Sequence, residues 1–380
     1  MATPAQAETG TLPQQTKPVA GRVLSIDALR GFDMFWLMQG DKLVVAFFAA
    51  CRLPFSAGIA AQMRHSRWEG FTFWDFIAPL FLFVVGLSMP FAFSRRLERG
   101  GSRKDLYRHI VRRTLILILL GLVFNGLLDL DFSNFRYAGV LQRIALCYFF
   151  AALIVMNSGV RGQALFTAGL LLGYWAAMAL IPVPGFGAGV LTPEGNLAGY
   201  IDRAWLPGRF CCYKFGDNEG YLSTIPAVST TLFGVLCGHL LRSSVPQIGK
   251  VRALLAGGAA SLLLGWLWSL AFPIITMLWT SSYVLWANGW CMLLFGLFYW
   301  IIDLRGRRKW AFPFMVIGLN AITIYVVQSQ FDFSAVSNIF IRGFVNSVGA
   351  YKPLVAAASV VAVEWLLLYF LYRQRIFLKV

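Results

Sequence analysis

A chain of 380 residues that is 58% hydrophobic and only 13% charged lies far below the roughly 25% charged residues of a soluble domain, which excludes an ordinary water-soluble fold. Its net charge of +16 would suit a nucleic-acid partner, but Lys and Arg gather in short loops between apolar runs, as in cytoplasmic loops of membrane proteins, so no nucleic acid is expected. The runs lack the two-residue alternation of a membrane β-barrel, and the expected class is all-α, a polytopic helix bundle.

Residues 1–21, closing with PQQTKPVAG, have no apolar core. They read as a disordered cytoplasmic tail rather than a cleaved signal peptide. Residues 22–380 read as one integral-membrane domain. Ten runs follow, at 24–46, 71–93, 109–128, 138–157, 163–181, 223–241, 252–271, 281–302, 311–330 and 354–373, each near the ~20 residues needed to cross a bilayer. The basic loops SRRLERGGSRKDLYRHIVRR, RSSVPQIGKVR and DLRGRRK and the closing YRQRIFLK all fall on the side of the N-terminus. Lys and Arg then divide two to one in favour of that side. Both termini are therefore placed in the cytoplasm, in a bacterial inner membrane. The opposite side receives a long Gly-, Pro- and aromatic-rich loop, 182–222, and ordered loops of that length are usually functional.

Ionisable groups inside spans are costly and suggest function. Asp27, Arg30 and Asp33 open the first span, and the first two share a helix face. Asp41 stands near the outer end of that span. His65 and Glu69 follow in the loop, and Asp75 is in the first turn of the second span. Arg136, Gln142, Arg143, Asp217, Glu219, Asn288 and Asn320 are aimed at the same leaflet from other segments. Of three histidines, His109 and His239 fall on the inner side and His65 on the outer. A lone loop histidine is usually inert, but imidazole is the side chain best matched to proton transfer near neutral pH. Six cysteines show no metal spacing, and no metal is expected. Cys147, Cys237 and Cys291 read as packing residues, whereas a disulfide from Cys51 to Cys211 or Cys212 is an expectation. No Walker loop, HExxH, CxxC or GxSxG occurs.

The motifs SIDALRGFDMFW, HSRWEGFTFWDFIAPLFLFVVGLSM, GVLQRIALCYFFAALI, DNEGYLSTIPAVSTTLFGVLCG, LWTSSYVLWANGW and VIGLNAITIYV occur in that order. The chain thereby resembles the heparan-α-glucosaminide N-acetyltransferase family, including bacterial glucosamine-acetylating members, from about residue 22 onward. The resemblance implies acetyl transfer from acetyl-CoA to the amino group of a glucosamine on the far side of the membrane. It places the family's histidine at His65. The family's asparagine ten residues beyond the LRG glycine falls on Asp41, a carboxylate in place of an amide. Asp41 or Asp75 would set the imidazole tautomer. Asn288 or Asn320 would donate to the oxyanion, and Arg136, Arg143 and Arg209 would meet the phosphates of CoA. Trp68, Glu69 and Glu219 would contact the sugar. Small-residue helix faces, with the resemblance, point to a homodimer. Two other readings fit ten spans with buried polar groups: a transporter for a sugar or lipid-linked precursor, and an O-acetyltransferase of an envelope polysaccharide.

Overall fold

The structure is a computed structural model and describes residues 23–377; the expected tail 1–21 lies outside them. The described residues are mostly helical. Helix α1 (Leu24–Phe35) leads through a distorted turn, Trp36–Gly40, into α2 (Asp41–Ala50), and α3 (Ser56–Gln62) follows. Then come α4 (Trp74–Glu98), α5 (Arg103–Phe124), α6 (Val140–Asn157) and α7 (Val160–Leu180). The long loop carries α8 (Leu197–Trp205) and a two-stranded hairpin, β1 (Cys212–Tyr213) and β2 (Gly216–Asp217). Helices α9 (Tyr221–Arg242), α10 (Gln247–Ser269), α11 (Ser281–Phe298), α12 (Phe312–Leu319), α13 (Ala321–Gln330), α14 (Phe333–Ser347) and α15 (Lys352–Arg373) complete the bundle.

Every expected span has helix at its place. Seven helices among the described residues are long and apolar enough to cross a membrane, or eight if α12 and α13, bent by 61° at their junction, count as one. The expected count of ten is therefore reduced by this criterion, and the reasons are local. The first span is interrupted, because Met38 and Gln39 leave helical geometry and Gln39 takes φ 64°. Helix α5 has the length, but Arg103, Lys104, Arg108, Arg112 and Arg113 fill its first half. The protein is a multi-pass α-helical membrane protein.

Glycines let the central helices meet backbone to backbone. A Cβ on Gly86 of α4 would lie 1.8 Å from the carbonyl oxygen of Thr231 on α9, and one on Gly234 of α9 would lie 2.0 Å from that of Phe83. The same interlock joins α1 to α12 through Gly31 and Gly318, and α10 to α11 through Gly258 and Gly289. Lipid supplies no hydrophobic drive between helices, so close packing over small residues has to. The small-residue faces that suggested a dimer are in these three pairs used within the chain. Asp303, beyond α11, accepts from the amides of Leu24 and Ser25 (3.2 and 3.1 Å), placing a carboxylate at the positive end of α1.

The expected disulfide from Cys51 is not formed. Cys211 is paired with its neighbour Cys212, and Cys51 is free and exposed in the turn after α2. Cys147, Cys237 and Cys291 are free and buried.

Candidate active site

The segment from His65 to Asp75 is folded by its own polar groups. Nδ1 of His65 lies 2.6 Å from Oδ1 of Asp75. The other carboxylate oxygen accepts from the amides of Ser66 (3.2 Å) and Thr72 (3.0 Å) and from the Thr72 hydroxyl (3.0 Å). Asp75 is fully enclosed, whereas the His65 side chain is 44% exposed. A carboxylate held by donors on every side acts as acceptor toward the ring, so Nδ1 carries a proton and, in the neutral ring, Nε2 is the basic nitrogen.

The frame explains the neighbouring residues. Pro79 stands one turn after Asp75 inside α4 and has no N–H for the Asp75 carbonyl. The hydroxyl of Tyr283 on α11 takes that place at 2.7 Å. Gly70 has φ 116°, open to glycine and strained for any other residue, and its amide donates to Ile274 (2.9 Å). The Trp68 indole donates to the carbonyl of Leu191 in the long loop (2.9 Å) and packs edge-on against Tyr213 at 5.3 Å. Glu69 is exposed and bridges Ile275 through its backbone. The loop 182–222 thus packs against the histidine segment at Trp68.

A second polar cluster lies between that loop and α6. Arg136 donates through Nε to Asp217 Oδ2 (2.9 Å) and through a terminal nitrogen to Asp217 Oδ1 (2.6 Å), Asn218 (3.2 Å) and Glu219. Burial opposes ionisation of Asp217, but the Arg136 contacts outweigh it and hold that carboxyl below its ordinary range. Burial pushes Glu219 up. It pushes Asp202 up to about 6, although Asp202 accepts from the amides of Asp217 and Tyr221 (3.2 and 3.0 Å). Arg143 is different. It is buried, donates to Ser223 and to the carbonyl of Gly220, and lies over the Trp279 ring at 4.7 Å. Its Nε and other terminal nitrogen have no hydrogen-bond partner among the described residues. Trp279 packs edge-on against Tyr283 at 5.3 Å. The chain Arg143, Trp279, Tyr283, Asp75, His65 is therefore continuous.

Of the residues singled out in the sequence, His65 and Asp75 meet directly, and Trp68 and Glu69 frame them. Arg136 and Glu219 meet each other, so the Arg136 charge is already balanced by carboxylates. Arg209 is exposed, and its amide donates to Phe135 (3.1 Å). Asp41 opens α2 and lines a separate cavity with Arg64. Asn288 is buried, its amide nitrogen donating to Val284 (2.8 Å). Asn320, at the bend between α12 and α13, donates to Ile376 (3.0 Å). Sequence reasoning missed Thr72, Tyr283 and Asp202. The T-x-x-D spacing of Thr72 and Asp75 is a helix-start signature and could have identified the first. Among the described residues no group of three or more His, Cys, Asp or Glu is placed to hold a metal.

Residues 22–272 match the family model described as heparan-alpha-glucosaminide N-acetyltransferase, catalytic. Two curated proteins named heparan-alpha-glucosaminide N-acetyltransferase are similar to the chain. The one from Mus musculus is 26% identical over 431 residues, 97% of this chain and 62% of that protein. The one from Homo sapiens is 26% identical over 435 residues, 98% of this chain and 63% of that protein. The chain thus spans about six-tenths of the length of these relatives.

Proposed function

Because the chain belongs to the heparan-alpha-glucosaminide N-acetyltransferase catalytic family, we propose that it is an acyltransferase moving acetyl from acetyl-CoA to the amino group of a glucosamine or glucosamine-terminated saccharide. The transfer takes place on the periplasmic side of a bacterial inner membrane, with both termini of the chain cytoplasmic. The observation that carries this reading is the His65–Asp75 contact at 2.6 Å on an enclosed carboxylate.

An amine attacks a thioester only as the free base, so its proton must leave during transfer. His65 Nε2 takes that proton, and Asp75 orients the ring and stabilises the imidazolium. Acetyl-CoA supplies the activated acetyl group. Arg143, with unused buried donors next to Trp279, is the arginine best placed to meet an anionic or oxyanionic part of that donor. The thiolate leaving group takes up a proton, and the imidazolium can return one. Arg136 holds the loop through Asp217 and Glu219 instead of meeting phosphates.

The test is acetyl-CoA-dependent acetylation of glucosamine by the purified protein in detergent, read by mass spectrometry of the product. Wild type is expected to form the amide, and His65→Ala to lose at least about 100-fold in kcat, the scale of a general base. Full activity in His65→Ala would overturn the assignment. An ester product would favour an O-acetyltransferase, and flux into proteoliposomes without transfer would favour a transporter.

A further inference from the structure

A cavity of about 520 Å³ lies beside the histidine segment, walled by α2, α14 and α15, with Ala60, Met63 and Arg64 closing one side. That volume is typical of a small-molecule site. Arg64, which lines the cavity, immediately precedes His65 in the chain. The walls are small: Ala46 and Ala49 on α2 face Ala356 and Ala357 on α15. Ser334 and Asn338 of α14 supply hydroxyl and amide groups.

Asp41 and Lys42 of α2, with Arg64, bring charge to the lining. On α15, Glu364 stands one turn beyond the lining residue Val360 and two beyond Ala357, on the same helix face. Glu364 is 1% exposed, and its Oε2 has no hydrogen-bond partner among the described residues. Pro353 lines the same cavity, and from there to Glu364 the wall runs about 16 Å at 1.5 Å per residue. Asp41 offers acceptor oxygens in the lining, and the buried Oε2 of Glu364, one turn beyond Val360, lacks a donor among the described residues. A carboxyl group buried in a membrane helix with one oxygen unpartnered is costly and is a functional hypothesis by default.

We propose that this slot is the acceptor's extension subsite: it takes the saccharide residue next to the reacting glucosamine, with Asp41 and Glu364 receiving its ammonium or hydroxyl donors. The proposal rests on the acetyltransferase reading above and deepens it, making the acceptor a saccharide of at least two rings carrying cationic or hydroxyl donors. The wall formed by α14 and α15 lies beyond residues 22–272, so acceptor length is read outside the stretch that the catalytic family model matches.

The experiment compares glucosamine with the β-1,4-linked glucosamine disaccharide as acceptors for the purified full chain. Wild type is expected to prefer the disaccharide at least tenfold in kcat/KM. Ala46→Leu with Ala60→Leu, which fills the slot at half-buried positions, should bring that ratio near one. Asn338→Ala, exposed and safe for folding, should lower it severalfold. A ratio near one in wild type, or a high ratio unmoved by the variants, overturns the proposal. Calorimetric titration of the disaccharide reads the slot without turnover: binding weakened at least tenfold by the filling variant supports it, and binding unchanged or absent in wild type overturns it. Slot-dependent binding without acetyl transfer would sink the acetyltransferase reading while leaving the subsite standing.

Discussion

Asp75 is positioned twice, once through its side chain and once through its carbonyl. The side chain holds His65, and the carbonyl, orphaned by Pro79, is held by Tyr283. Tyr283→Phe keeps the ring and removes the hydroxyl that does this job. The buried carbonyl then lacks its partner, at a cost of about 1–3 kcal/mol, and a lowered melting temperature in detergent is the expected reading. An unchanged melting temperature would show that another donor takes over. The D-x-x-x-P spacing announces a freed carbonyl, and H-x-x-W-x-G stands close enough in the chain to suggest a partner for Asp75. Tyr283 is 208 residues from Asp75, and nothing local marks a tyrosine in an apolar run as the donor that fills the gap. Asp202 yields a second prediction. Its carboxyl is pushed up to about 6 by burial, against an ordinary value near 4. A carboxyl raised in the folded state contributes stability that is complete below its unfolded value and is lost as pH rises through the folded one. Resistance of the loop 182–222 to proteolysis should therefore fall between about pH 4 and pH 6, by at most ~3 kcal/mol for a rise of that size. Asp202→Asn, which removes the titrating group and keeps an acceptor for one of the two amides it serves, should flatten this dependence.

Helix α4 carries Asp75 in its first turn, and its seat is the glycine interlock with α9. Gly86→Ala would force a methyl to within 1.8 Å of the Thr231 carbonyl oxygen. The two helices must separate, and overpacking of this kind costs about 1–3 kcal/mol. Gly173→Ala on α7, where no atom lies within 4 Å of the added methyl, is the control. The first variant should melt several degrees below wild type and the second should match it; equal melting temperatures would mean that the α4–α9 contact is looser than the geometry requires. Elements of this length are legible because a run of about 20 apolar residues has few alternatives in lipid, and all ten runs became helix. The interruptions are less legible. Gln39 and Asn320 break helices inside apolar runs that carry no proline at the break, and it is tertiary contact, such as that of Asn320 with Ile376, that satisfies polar groups there. Helix α14 lies between the ninth and tenth expected runs and is too short for a span; Ile339, Phe340 and Phe344 mark its apolar outer side. They are exposed, and with Asp332 capping its start the helix is short and one-sided.

At the scale of the molecule, the proposed chemistry needs His65 on the outer face, and the chain contains its own reporter of that orientation. Cys51 is free and exposed in the turn between α2 and α3, on the same side of the membrane as His65 because no span intervenes. The other free cysteines, Cys147, Cys237 and Cys291, are buried, and Cys211 and Cys212 are paired with each other. A membrane-impermeant maleimide added to intact spheroplasts should label the native protein once, at Cys51, and Cys51→Ser should abolish the label. The basic loops between α4 and α5 and between α9 and α10 would then lie inside, as the distribution of Lys and Arg requires. Labelling that appears only after the membrane is permeabilised would invert the topology. It would put His65 and the slot beside it on the cytoplasmic face, where transfer to an envelope saccharide has no acceptor. The same experiment separates the two cysteine arrangements: a Cys51 tied to the long loop would take no label until reduced, whereas a free Cys51 reacts at once.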